Sequence, residues 1–222
     1  MTDIRALLTM LQMSDSAFPS GAFAFSAGLE TLAGEGRICG AEDLHDYLRD
    51  EILPRWCSFD RWFLVQAHGA GLTDSAALDR DCDCQTTISG LALASRRVGR
   101  ALLSTHARIG TPGASAYLAQ VLQDDVPGHG AVIQGALARA MALPLVLAQA
   151  GALHGTISAA LSASVRLGAV GALAAQRIYA ELQAEMATAL AEPVPEFAHS
   201  FSPLADIAAM RHRQNPTRLF AA

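Results

Sequence analysis

The sequence contains no lysine, so all 16 of its basic residues are arginine. A P-loop phosphate lysine, a Schiff-base lysine and a lysine anchoring pyridoxal phosphate are therefore chemically excluded. Neither G-x-x-x-x-G-K-[ST] nor G-x-G-x-x-G occurs, and nucleotide chemistry of those two kinds is not encoded. Aromatic residues are scarce at 6%, and the Val, Ile, Thr and Tyr runs that make strands are missing. The histidines (His45, His68, His106, His129, His154, His199 and His212) show no H-x-H or H-x-x-x-H spacing. No G-x-S-x-G turn is present either, so neither a catalytic metal site nor an activated serine is assigned from sequence.

What remains is an apolar chain rich in small residues, 51% hydrophobic, with a net charge of -5 and acids interspersed with arginines. Such a balance gives no drive toward nucleic acid or anionic lipid. A chain of 222 residues buries roughly 70% of its unfolded surface and needs no disulfide or metal staple. The start, MTDIRALLTMLQMSD, carries Asp3 and an apolar run too short for a signal peptide. The four cysteines are accordingly expected as thiols in a reducing cytoplasm. From Ala140 to Val165 the chain has no formal charge for 26 residues, enough to span a bilayer. Pro144, Gln149, Gly151, His154 and Gly155 interrupt that stretch, which reads better as two buried core helices meeting at a glycine turn.

Periodicity predicts an all-α fold: a compact bundle of about seven to nine helices with a loosely attached C-terminal tail. Ile4, Leu7, Leu8 and Leu11 follow helical spacing, a second helix is expected over residues 22–33, and Leu44, Leu48 and Ile52 mark a third. Pro54 should kink or end that helix, with Trp56, Phe59 and Phe63 beyond it. Residues 69–85 are polar and weakly periodic, and read as a loop. A central helix carries Ile88, Leu91, Ser95, Val98 and Leu102. Later helices are expected around Tyr117, across Pro144, through Ile157 and Leu161, and through Ile178 and Leu182. Beyond Glu192, Pro193, Pro195 and Pro203 prevent a continuous helix. The expected organisation is a helical domain over 1–192, with 193–222 a partner-binding tail of the same domain.

Four segments are candidates for function. Cys82 and Cys84 sit in Asp-Cys-Asp-Cys without a second Cys/His pair nearby, which favours incidental thiols in an exposed loop over a metal clamp. Arg96, Arg97 and Arg100 cluster on the central helix. They form either a solvated face paired to nearby acids or a guanidinium patch for a partner's carboxylates or phosphate. Ser16 to Ser26 combines Pro19 and Gly21 with Phe18, Phe23 and Phe25, as a packed helix-turn-helix corner or a docking surface. Near the end stand Arg218, Leu219 and Phe220, with the composition of an interface anchor; a frayed end is the alternative.

Five pieces, taken in order, resemble the urease accessory protein UreF family: DSAFPSGAFAFSAGLE (15–30), SRRVGRALL (95–103), PGHGAVIQGALA (127–138), SVRLGAVGALAAQRI (164–178) and DIAAMRHRQNPTRLF (206–220). The chain departs from the family's pattern at Ala22, in place of a second glycine, and at Arg213, where the family has an acid. The resemblance implies a cytoplasmic, all-helical, often dimeric non-enzyme needed to place nickel in urease. It would join a UreD-type (UreH in some species) accessory protein, recruit the GTPase UreG and act on apo-urease, with nickel handled by that complex and no cofactor of its own. It also implies that the tail orders in the complex and that Arg218 helps hold the GTPase. An arginine entering the GTP site, from Arg96, Arg97, Arg100 or Arg218, is the alternative role.

Overall fold

A computed structural model of the chain describes residues 3–212 and 219–221. Among these residues the regular structure is all helical, as the periodicity predicts. In chain order the α-helices are α1 (Ile4–Ser14), α2 (Leu29–Gly34), α3 (Ala41–Tyr47), α4 (Leu53–Arg55), α5 (Arg61–Asp74) and α6 (Ala76–Gln85). They continue as α7 (Ser89–Ile109), α8 (Ala114–Leu122), α9 (Gly130–Ala140), α10 (Leu145–Arg166), α11 (Ala172–Ala191) and α12 (Pro203–Arg211). The chain divides into two compact units, Met1–Gly21 with Asp60–His154, and Ala22–Phe59 with Gly155–Ala222.

In the first unit α5 packs along α9, while α7 packs on α8 and α9. Phe63, Leu64, Ile133 and Leu137 are fully buried there, each contributing about 2 kcal/mol through loss of water contact. Small residues let these helices approach closely. A Cβ on Gly135 would stand 2.1 Å from the Leu64 carbonyl oxygen, and one on Gly99 2.0 Å from that of Gly128. Both glycines belong to the sequence motifs, and the close backbone approach is the physical reason for them.

Residues 69–85, expected as a loop, instead complete α5 and form α6. Their polarity misleads because the buried face of α6 is itself polar: Asp79 and Cys82 point inward. The apolar stretch near Pro144 also differs from expectation. It is not two helices meeting at a glycine turn; α9 ends at Ala140, Ala142 adopts a φ of 54°, and α10 then runs unbroken for 22 residues. Pro144 precedes α10, where a missing N–H costs nothing. By length and composition α10 could cross a membrane, yet its Leu153 and Ile157 are fully buried in protein.

In the second unit α3 continues through two π-helical turns, Leu48–Ile52 and Trp56–Asp60, that flank Pro54. The proline supplies no N–H to the ladder, and the wider turns absorb the mismatch without ending the helix. Leu44, Leu48, Ile52, Trp56 and Phe59 form the buried stripe of this run. Helix α11 packs on α3, and α12 packs on α2 and on the Leu48–Ile52 turn. The helix expected over 22–33 is broken in two. A 3-10 turn at Ala22–Ala24 is followed by positive φ at Ala27 (49°) and Gly28 (83°), after which α2 begins. The Tyr47 hydroxyl donates to the Ala27 carbonyl and holds this bend, a tertiary contact that local propensity does not contain.

Replacing Gly135 with Ala forces α5 and α9 apart. The expected loss is about 3 kcal/mol from overpacking, read as a fall in Tm of roughly 10 °C. Gly155→Ala, which meets open space in α10, instead gains about 1 kcal/mol of helix propensity. Thermal unfolding of both variants checks the contrast.

Candidate functional site

In the second unit the chain end closes on α2. The Glu30 side chain is buried, and its Oε2 accepts from His212 Nε2 at 2.7 Å and from the Phe220 N–H at 3.2 Å. Its Oε1 accepts from the Leu219 N–H. Burial alone would raise this carboxyl; the hydrogen bonds from Leu219, His212 and Phe220, with the His212 charge, hold it below its ordinary value. The Phe220 ring is 4% exposed and lies under the Arg166 guanidinium, 4.4 Å from the ring centroid. Arg166 also donates to the Phe23 carbonyl at 2.6 Å, and the Ala221 N–H donates to the Ala24 carbonyl at 2.9 Å. Three of the motif segments thus meet around one carboxylate.

Helix α12, which leads into this clasp, is built with small side chains inward. Ala205, Ala208 and Ala209 are buried, while Phe201, Ile207 and Met210 are 78%, 47% and 58% exposed. Leu219 is exposed as well, at 55%. The N-terminus of α12 is held by Glu51, whose Oε2 accepts from the Leu204 and Ala205 N–H groups at 3.0 and 3.2 Å. A carboxylate there satisfies orphan donors and complements the helix dipole.

In the first unit a second carboxylate, Asp79, is fully buried. It accepts from the N–H groups of Gly128 and His129, each at 2.7 Å, and from the Tyr117 hydroxyl at 3.0 Å. Burial pushes its carboxyl above the usual range against the pull of these bonds. His129, also fully buried, joins Ser95 Oγ at 3.1 Å and Asp83 Oδ1 at 2.8 Å. Ser95 Oγ in turn accepts from the Gly130 N–H at 3.0 Å. This network pins the Pro127–Gly130 turn to α6 and α7.

The arginines predicted on α7 are all exposed. Arg96 reaches Asp83 at 3.6 Å, so the paired-face reading holds for it. Arg97 and Arg100 make no ion pair with a described residue, and α7 carries no acid. Of the predicted tail anchors, Leu219 faces solvent and Phe220 fills its own chain's interior, while Arg218 lies outside the described residues. Cys82 and Cys84 lie on α6 rather than in an exposed loop, with Cys82 buried and Cys84 exposed. Among the described residues no group of three His, Cys, Asp or Glu side chains could hold a metal ion. Sequence reasoning missed Glu30, Glu51 and Asp79. Glu30 alone stands as an acid in an apolar and small-residue setting, whereas Asp79 and Glu51 sit among other charges and carry no local signal; each acquires its partners from residues 38 to 190 positions away.

Fold and sites together define an all-α protein whose most constrained polar groups lock turns and the chain end in place, leaving apolar and basic helix faces open to solvent. The UreF family model matches residues 38–183. Similar proteins include urease accessory protein UreF of Trichodesmium erythraeum, 32% identical with 99% of this chain and 98% of that protein covered. Another is that of Agrobacterium fabrum, 32% identical over 98% of this chain and 96% of the relative. The chain belongs to the UreF family of urease accessory proteins.

Two outcomes follow from the buried carboxylates. Asp79→Asn places an amide N–H against a backbone N–H whichever way it turns, and is expected to cost about 1–3 kcal/mol in denaturant unfolding. Glu30 has a folded pKa below its unfolded one, so its contribution is present above the unfolded value and is lost as pH falls through the folded value. An acid titration followed by NMR should show the Phe220 amide resonance keeping its native position through the range in which an ordinary glutamate protonates and leaving it only at lower pH.

Proposed function

We propose that this chain serves urease maturation as a non-catalytic scaffold: it binds a UreD/UreH-type accessory protein and recruits the GTPase UreG. The observation that supports this reading best is the inverted helix α12, which turns alanines inward and Ile207 and Met210 outward. A helix normally buries its large apolar side chains; one that exposes them, in a segment where Phe201 and Leu219 are exposed as well, has the composition of an interface core awaiting a partner. Membership of the UreF family supports a partner among the urease-maturation proteins. In this reading nickel is cargo handed to apo-urease by the assembled complex, the chain retains no cofactor, and it works as a cytoplasmic homodimer. The C-terminal positions Arg218, Leu219 and Phe220 contribute to the grip.

A second reading rests on Arg97 and Arg100, exposed on a helix without acids. Either could enter the GTP site of the partner as an arginine finger, making the chain a GTPase activator. These exposed guanidinium groups serve simple recruitment equally well, through bidentate contacts to carboxylates or phosphate.

Ile207→Ser with Met210→Ser should leave the Tm within about 2 °C, since exposed positions contribute little to stability. Capture by the immobilised UreD-type protein should fall at least roughly tenfold; undiminished capture sinks the proposal. In the same assembly, Arg97→Ala with Arg100→Ala should weaken UreG retention while the GTPase rate of assembled complexes stays the same. A fall in that rate of about 10³ or more supports the finger instead.

A further inference from the structure

We infer that Glu30 is the positioning residue of the C-terminal grip: one carboxylate fixes the end of α12 and the last residues of the chain in a single register, and so decides how Leu219 is shown to the partner. The inference rests on the scaffold function proposed above and names the residue that organises it.

Both oxygens of Glu30 are committed. Oε2 receives His212, which follows the last turn of α12, together with the Phe220 N–H, and Oε1 receives the Leu219 N–H. A bidentate acceptor of this kind sets direction as well as distance, because each oxygen must meet a different donor. The consequence is a division of labour between neighbours. Phe220 is driven inward beneath Arg166, and Leu219, with its N–H turned to Glu30, keeps its side chain in solvent. The Ala221 N–H on the Ala24 carbonyl extends the same register by one residue. Without the carboxylate, two backbone N–H groups would lose their acceptor and nothing else among the described contacts would tie His212 to Leu219. The exposed Arg211–Glu35 pair, at 3.4 Å, links α12 to α2 and involves none of the described residues beyond α12. Glu30 therefore acts through the tail, not by touching the partner itself.

The test compares four full-length proteins, wild type, Glu30→Gln, Glu35→Gln and Phe220→Ala, with a chain ending at His212. Two readouts are taken: hydrogen exchange at the Leu219 and Phe220 amides in the free chain, and capture by the immobilised accessory protein. Glu30→Gln should accelerate exchange at both amides at least tenfold and bring capture down to the level of the shortened chain. Glu35→Gln should match wild type in both. Unchanged exchange in Glu30→Gln overturns the inference, and so does accelerated exchange with wild-type capture. If Glu30→Gln does not fold, Phe220→Ala decides: it keeps the carboxylate and both N–H groups, so slow exchange supports Glu30 as the organiser, while exchange accelerated tenfold assigns the register to the ring and overturns the inference. Wild-type chain that captures nothing is a separate result: it overturns the scaffold function, and this inference with it.

Discussion

A backbone N–H that leaves water outside a helix ladder must find an acceptor, and in this protein buried or half-buried carboxylates supply it. Asp79 serves the Gly128 and His129 N–H groups, Glu51 those of Leu204 and Ala205, and Glu30 those of Leu219 and Phe220. Each carboxylate sits on a helix or helical run and captures a segment remote in sequence. An ionised acceptor is stronger than a neutral one and offers two oxygens, so it can both satisfy and orient an irregular segment. The turns and the chain end depend on these acids in the way that helices depend on their own ladders.

The second organising feature is size. Where glycine or alanine lines a contact, helix backbones come together, as α5 and α9 do at Gly135 and as α12 does on α2 through Ala208. Large side chains displaced from such contacts must go elsewhere. On α12 they go outward, which turns a packing solution into an exposed apolar face. Scarcity of aromatics and a surface suited to protein partners are therefore two aspects of one small-residue design. This face and the tail, whose end Glu30 anchors at Leu219 and Phe220, lie in the same unit of the chain.

Much of the fold was legible beforehand. Helices with one apolar stripe, such as the Leu44–Leu48–Ile52 run and the Ile178–Leu182–Met186 face of α11, lie where periodicity places them and bury the predicted residues. Legibility failed where the buried face is polar or the chain is bent by a distant group. α6 hid as a loop because Asp79 and Cys82 are its inward residues. The segment 22–33 looked like one helix because the Tyr47 hydroxyl that bends it at Ala27 lies 20 residues on. His129 and His212, which no spacing in the sequence singles out, are buried and meet Asp83 and Glu30.

Sequence by itself determined the helical class, the helix stripes, the exclusion of lysine-dependent chemistry and the ordered motifs that mark the family. These are local or compositional properties, written in spacing and residue type. Tertiary structure alone decided which acids become acceptors, which of two adjacent tail residues turns inward, and which α7 arginine meets an acid. A carboxylate's role depends on donors that arrive from other parts of the chain, and residue type carries no record of their positions.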